Sequence, residues 1–143
     1  RALEAAIIAA IAALVPSDES SQQLGWIPAE ENREAGTSSL VPRLFRTEIS
    51  PTGLVVGGLT GNGDNELSLA LDIFVDYRGF PEEDRGWLLE NDQMDLYFHL
   101  ENQINVIPGL THVEIAADPT PEGDEAEARF VYSFTVYYMR VRR

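Results

Sequence analysis

From residue 67 to residue 77 the chain alternates: Leu67, Leu69, Leu71, Ile73, Val75 and Tyr77 share one parity, and Ser68, Ala70, Asp72 and Asp76 fall on the other. A period of two held over eleven residues has one simple solution, an extended strand with a buried face and a wet face. The last stretch, 128–141, repeats the pattern with Phe130, Tyr132, Phe134, Val136 and Tyr138 on one face, and with Val131, Tyr137, Met139 and Val141 partly lining the other. Apolar residues on both faces place this strand inside a sheet, covered by helix on one side and by something else on the opposite side. Shorter apolar runs at 44–49, 53–59 and 111–117 supply the remaining strands. Hairpins are expected at Asn62-Gly63, where both residues tolerate positive φ, and in the acidic loop 118–127.

Two segments carry helical rather than strand periodicity. Leu3, Ile7, Ile11 and Leu14 recur at helical spacing in an alanine-rich run that Pro16 ends. At about 14 residues the run is short of the roughly 20 needed to cross a bilayer, and Glu4 interrupts it, so a core helix is expected rather than a membrane span or a signal peptide. The second helix is predicted from about Pro81 to Glu101, with Glu82, Glu83 and Asp84 where the helix dipole favours anions. It shows two apolar stripes, Trp87, Met94 and Phe98 on one and Leu89, Leu96 and Leu100 on the other. One packs on the sheet; the other is either wrapped by the first helix or is a seam for a second subunit. The Ser-, Gln- and Glu-rich segment 17–42 reads as a loop or arm that carries the bulky apolar pair Trp26 and Ile27. The whole is therefore a single α+β domain over residues 1–143, a mostly antiparallel sheet of about five strands with two helices packed on it.

Charge narrows what such a domain can do. Acidic residues number 24 and basic residues 10, giving a formal charge of −14, and all ten basic residues are Arg. A field of that sign repels a phosphate backbone, which argues against gripping nucleic acid while permitting DNA to slide past. With no cysteine there is no disulfide, thiolate nucleophile or Cys-bound metal. The glycine cluster 57–63 lacks the lysine of a Walker A loop, and Glu66 occupies the third glycine position of a dinucleotide fingerprint. Asn62, Asp64 and Glu66 present too short a ligand series for a calcium loop. His99 stands one turn after Asp95, within reach of an ion pair or of a shared metal, although a polar helix face accounts for both; His112 has no local partner in the sequence. No Gly-x-Ser-x-Gly elbow is present. No catalytic centre, cofactor or metal is expected.

Assembly with other proteins is the route to function that the sequence favours. Trp26, Trp87, Leu89, Met94 and Leu96 are candidate subunit contacts. So are Arg140, Arg142 and Arg143, a basic cluster suited to meeting the acidic edge of the next copy in a head-to-tail ring. Asp84, Asp92, Asp95, Asp118, Asp124 and Glu125 are candidates for an acidic lumen or partner-binding face.

The element order resembles that of the tail terminator and related head-tail joining proteins of long-tailed bacterial viruses. The resemblance covers most of the chain and rests on the Leu3 to Leu14 helix, the strands ending in 67–77, the Trp87 to Leu100 helix, the Pro108-Gly109 turn and the aromatic closing strand. It implies a virion protein that forms a hexameric ring, caps the tail tube, joins it to neck and connector proteins, and surrounds the DNA channel through an acidic lumen. The family has no catalytic residues to carry over. Two alternatives stand beside it: another neck, tail or baseplate subunit, and a soluble acidic binding protein such as a DNA mimic, which would stay small and bind basic partners in a salt-sensitive way. An enzyme would need a concave pocket with several perturbed titratable groups.

Overall fold

The computed structural model describes residues 2–15, 25–29, 43–56, 65–77, 80, 82–123 and 128–140. Within them the chain forms α1 (Ala2–Ala12), β1 (Trp26–Pro28), β2 (Arg43–Val56), β3 (Asn65–Asp76), a 3-10 turn (Glu82–Asp84) leading into α2 (Arg85–Glu101), β4 (Leu110–Pro121) and β5 (Arg129–Arg140). The five strands form one sheet in the order β1-β2-β3-β5-β4. Every neighbouring pair is antiparallel except β1 with β2, which is parallel. The expected α+β architecture is present, and β5 is interior as its two-sided pattern predicts.

The strands differ from expectation in three places. The run at 44–49 and the described part of the next run, 53–56, belong to one strand, β2, whose register slips between Pro51 and Gly53. Proline is tolerated there because β1 pairs with β2 only from Arg43 to Phe45, leaving that edge of β2 without a partner strand farther along among the described residues. The 17–42 arm, read as a loop, contains β1, a three-residue strand that tertiary pairing creates where local propensity is weak. Asp118, placed in a loop by its acidic neighbours, lies within β4, which continues to Pro121. The Asn62-Gly63 turn falls outside the described residues.

Both helices cover the same face of the sheet. That face is built by Phe45 of β2, Leu69, Leu71, Ile73 and Val75 of β3, and Phe130, Tyr132, Phe134 and Val136 of β5, joined by Tyr77 just beyond β3 and closed over by Ile7 and Ile11 of α1 and Leu88, Leu96 and Leu100 of α2. The parity of the 67–77 run is what aims its apolar residues at this core. α2 lies toward β4, where the Gln93 side-chain amide donates to the Ala117 carbonyl at 3.2 Å. At the far end of α2 the Pro108-Gly109 turn starts β4. Gly109 has φ +91°, and its carbonyl accepts from the Met139 amide at 2.7 Å, tying the turn to the end of β5.

Nothing among the described residues packs on the opposite sheet face, which the sequence pattern expects to be covered. Its centre is shallow and polar, with Ala70, Asp72, Ser133 and Thr135 half-buried. Arg46 lies across it 3.9 Å from the Phe74 ring centroid, held by Glu48 at 2.7 Å and Glu122 at 2.9 Å.

Candidate assembly surface

α2 opens on three successive acids, Glu82, Glu83 and Asp84, where their charge complements the helix dipole. The Asp84 carboxylate makes no capping bond to the backbone; it accepts instead from the Trp87 indole N–H at 3.3 Å. From there the helix divides cleanly. Leu88, Asp92, Leu96 and Leu100, four residues apart, are buried together with Gln93, and Leu89 is half-buried against the core. Trp87, Met94 and Phe98 point outward, 43%, 37% and 53% exposed. Of the two stripes legible in the sequence, the leucine stripe packs on the sheet and the Trp87 stripe is left uncovered. Leu88 was missed because it lies between the two stripes, on the side that α1 approaches.

The outward face is continued by α1, whose Ala5, Ala9 and Ala12 are exposed, as are Ala13 and Val15 just beyond the helix, the latter by 72%. The two helices are linked by the His99 ring, which hydrogen-bonds through Nε2 to the Ala10 carbonyl at 2.6 Å. A carbonyl only accepts, so Nε2 carries the proton. His99 thus serves as an interhelical tie and not as a partner of Asp95. On the outer face, Tyr97 and Phe98 rings lie 5.4 Å apart, Tyr97 donates to Glu101 at 3.0 Å, and Glu90 and Glu101 are exposed beside the stripe.

Beneath the helix is a sealed polar cluster that sequence reasoning did not find. Arg43 and Asp92 are each 0% exposed, with Arg43 Nε donating to Asp92 Oδ2 at 2.6 Å. The Tyr77 hydroxyl donates to the same oxygen at 2.6 Å and lies 2.6 Å from the Tyr132 hydroxyl. Asp92 Oδ1 is buried with no hydrogen-bond partner. Burial pushes the Asp92 carboxyl up from its ordinary value, against the lowering pull of the Arg43 bond and charge. Burial also holds the Tyr77 and Tyr132 hydroxyls well above theirs, so both remain protonated donors. The Arg43 guanidinium carbon sits 5.6 Å from the Trp26 ring centroid and 5.2 Å from that of Phe80.

These placements correct four assignments. Asp92 is inside the core and not on an acidic face, because its helical position coincides with that of Leu88 and Leu96 and Arg43 supplies its counter-charge. Leu96 is 0% exposed and Trp26 2%, the latter packed edge-on against Phe45, so the chain's own core uses both and neither is at the surface to meet a second subunit. His112 does have local partners: Glu114 Oε2 at 3.2 Å and the Tyr137 ring at 5.4 Å, with the Tyr137 hydroxyl donating to Glu114 Oε1 at 3.1 Å.

Of the other candidates, Asp84 at the N-cap of α2 and Asp95 on α2 are half-buried, and Asp118 is exposed on β4. Asp124, Glu125, Arg142, Arg143 and the Arg140 side chain lie outside the described residues, as do Asn62 and Asp64 of the calcium reading. Among the described residues no three His, Asp or Glu side chains gather to hold a metal ion, and no helix is long and apolar enough to cross a membrane. A groove of about 530 Å³ between the start of α1 and the sheet is lined by Leu3, Ile49, Leu67, Leu69 and Tyr138, with Glu4 at its edge. The perturbed groups Asp92, Tyr77 and Tyr132 line neither this groove nor its neighbours. No protein-family model matches the sequence, and no curated protein matches it.

Proposed function

We propose that this chain is a structural subunit that works by assembling with copies of itself, as a ring of the tail-terminator or head-tail joining kind at the neck of a long-tailed bacterial virus. The observation that carries the reading is the outward stripe of Trp87, Met94 and Phe98 on a helix whose opposite side is already packed. Three large apolar side chains aligned on one exposed helix face, continued by the alanine face of α1, mark a surface built to be covered. The element order supports the more specific placement. So does the charge of −14, which suits a wall along which DNA slides without sticking. The tail tube protein and neck proteins are then its neighbours, the host cytoplasm its place of assembly and the virion its destination. On this reading it has no catalytic role.

Magnitudes restrict the kind of assembly. Covering the exposed half of each stripe residue contributes on the order of 1 kcal/mol, whereas association costs roughly 4 to 15 kcal/mol in lost freedom. The stripe alone therefore does not hold a pair of copies together. A closed ring, in which every subunit makes two contacts, fits this arithmetic better than an isolated dimer. Native mass measurement and electron microscopy of the full chain test the proposal. A closed oligomer that Trp87→Glu with Phe98→Glu reduces to monomers supports it, and a wild-type chain that stays monomeric at every concentration refutes it.

A further inference from the structure

Three arginines of the described chain are held in one repeated way, with the guanidinium near an aromatic ring and a carboxylate alongside. Arg43 lies near Trp26 and Phe80 and is paired with Asp92. Arg46 lies 3.9 Å over Phe74 and is clamped by Glu48 and Glu122. Arg85 lies 5.7 Å from the Phe130 centroid with Glu82 at 4.0 Å. The pairing is physically economical, since a planar guanidinium gains from the ring face and from carboxylates at its edge simultaneously.

The outer face of α2 has the same components without the cation. Trp87 and Phe98 are exposed rings, and Glu90 and Glu101 are exposed carboxylates that pair with no cation among the described residues. A two-fold contact of this face with itself would set Glu90 and Glu101 against their own copies with no positive charge between them, which is unfavourable. The chain contains no lysine, and its densest positive cluster is Arg140-Val141-Arg142-Arg143, continuing from the end of β5.

We propose that the outer face of α2 is an arginine-binding surface, and that its occupant is the 140–143 segment of a second copy. This rests on the reading that copies assemble, and it names what covers the stripe. Arg142 and Arg143 lay their guanidinium groups on Trp87 and Phe98 between Glu90 and Glu101, and Val141 adds apolar contact. Three residues beyond β5 reach about 10 Å at most, so the end of β5 in one copy must lie close to α2 of the next. That contact joins two different surfaces, which is the geometry that propagates around a ring.

The test is sedimentation velocity and native mass measurement of the full chain and three variants over a range of concentrations. Arg142→Glu with Arg143→Glu is expected to weaken association at least about tenfold, given the worth of two stacked and paired guanidinium groups. Glu90→Arg with Glu101→Arg should do the same, and combining all four substitutions should restore assembly, which a general loss of folding would not. Assembly that persists unchanged in the Arg142→Glu, Arg143→Glu variant overturns this inference and leaves the ring reading intact. A wild-type chain that is always monomeric overturns both. If that monomer's tryptophan fluorescence responds to the arginine substitutions, the segment covers its own helix and the second copy is the wrong occupant.

Discussion

At Asp92 a single side chain decides how α2 is seated. One carboxylate oxygen takes both Arg43 and Tyr77 while the other has no partner, so the cluster is costly to bury and more costly to break. Asp92→Ala removes the buried carboxylate that pairs with Arg43 and is expected to lose about 3 to 5 kcal/mol in urea unfolding, with Asp92→Leu plus Arg43→Met recovering most of it. Proton order separates the two tyrosines. The Tyr77 hydrogen goes to Asp92, so the Tyr77 oxygen must accept from Tyr132. Tyr77→Phe strands both neighbours and should cost about 1 to 3 kcal/mol, more than Tyr132→Phe, which removes only the terminal donor. The pH dependence follows from burial raising the Asp92 pKa above the ordinary 3.8. The folded state then holds that proton more tightly than the unfolded chain, so this group favours folding most below 3.8 and its contribution fades as pH rises through the folded value. Urea midpoints of wild type should therefore decline more from pH 3.8 toward neutrality than those of Asp92→Asn, and equal slopes would rule the idea out. None of this was legible in the sequence, where Asp92 is one acid in a polar sector of the helical wheel and Arg43 stands 49 residues away.

Elements were legible where one rule governed many residues and illegible where a partner governed few. The alternation of β3 and β5 and the helical spacing of α1 are long patterns, and each forms the expected kind of element, although α1 ends at Ala12, short of Leu14. β1 spans three residues and exists because β2 offers it an edge, a cause outside its own sequence. The Pro108-Gly109 turn was readable because its chemistry is local. At φ +91°, a Cβ on Gly109 would lie 2.5 Å from Tyr138 Cε1 and 3.0 Å from the Met139 carbonyl oxygen. Gly109→Ala should therefore cost about 1 to 3 kcal/mol in backbone strain and displaced contacts, read as a lowered unfolding midpoint; an unchanged midpoint would mean the turn is not strained. The outer edge of β4 bears on how copies meet. Its register breaks at three places, it carries Pro119 and Pro121, and Gln93 of α2 occupies the Ala117 carbonyl. Bulges and prolines discourage strand addition, which leaves the helix face as the better surface for a second copy. That two stripes exist on α2 was visible from spacing alone; which of them faces out was not, since Leu and Trp are both apolar and only the sheet selects between them.

For the whole molecule the decisive quantity is the charge of −14 carried by every copy. Assembly brings like-charged bodies together, and their repulsion acts over the tens of ångströms that separate their charges. Local attraction between arginine and carboxylate acts over a few ångströms. At physiological ionic strength the Debye length is about 8 Å, against about 30 Å at a tenth or less of that salt. Salt in this range therefore removes most of the body-to-body repulsion while leaving contact pairs and apolar burial largely in place. Self-association should accordingly strengthen as sodium chloride is raised from about 0.01 M to about 0.15 M, measured by sedimentation at fixed protein concentration. An acidic protein that instead occupies the cationic groove of a nuclease or repressor is drawn to its partner by the same long-range field, and screening weakens that binding. The two functions thus respond to salt with opposite sign. Self-association that falls steadily across this range would show attraction between unlike charges to be the main force between copies. Salt-independent monomers that bind polycations tightly only at low salt would favour the mimic over the ring.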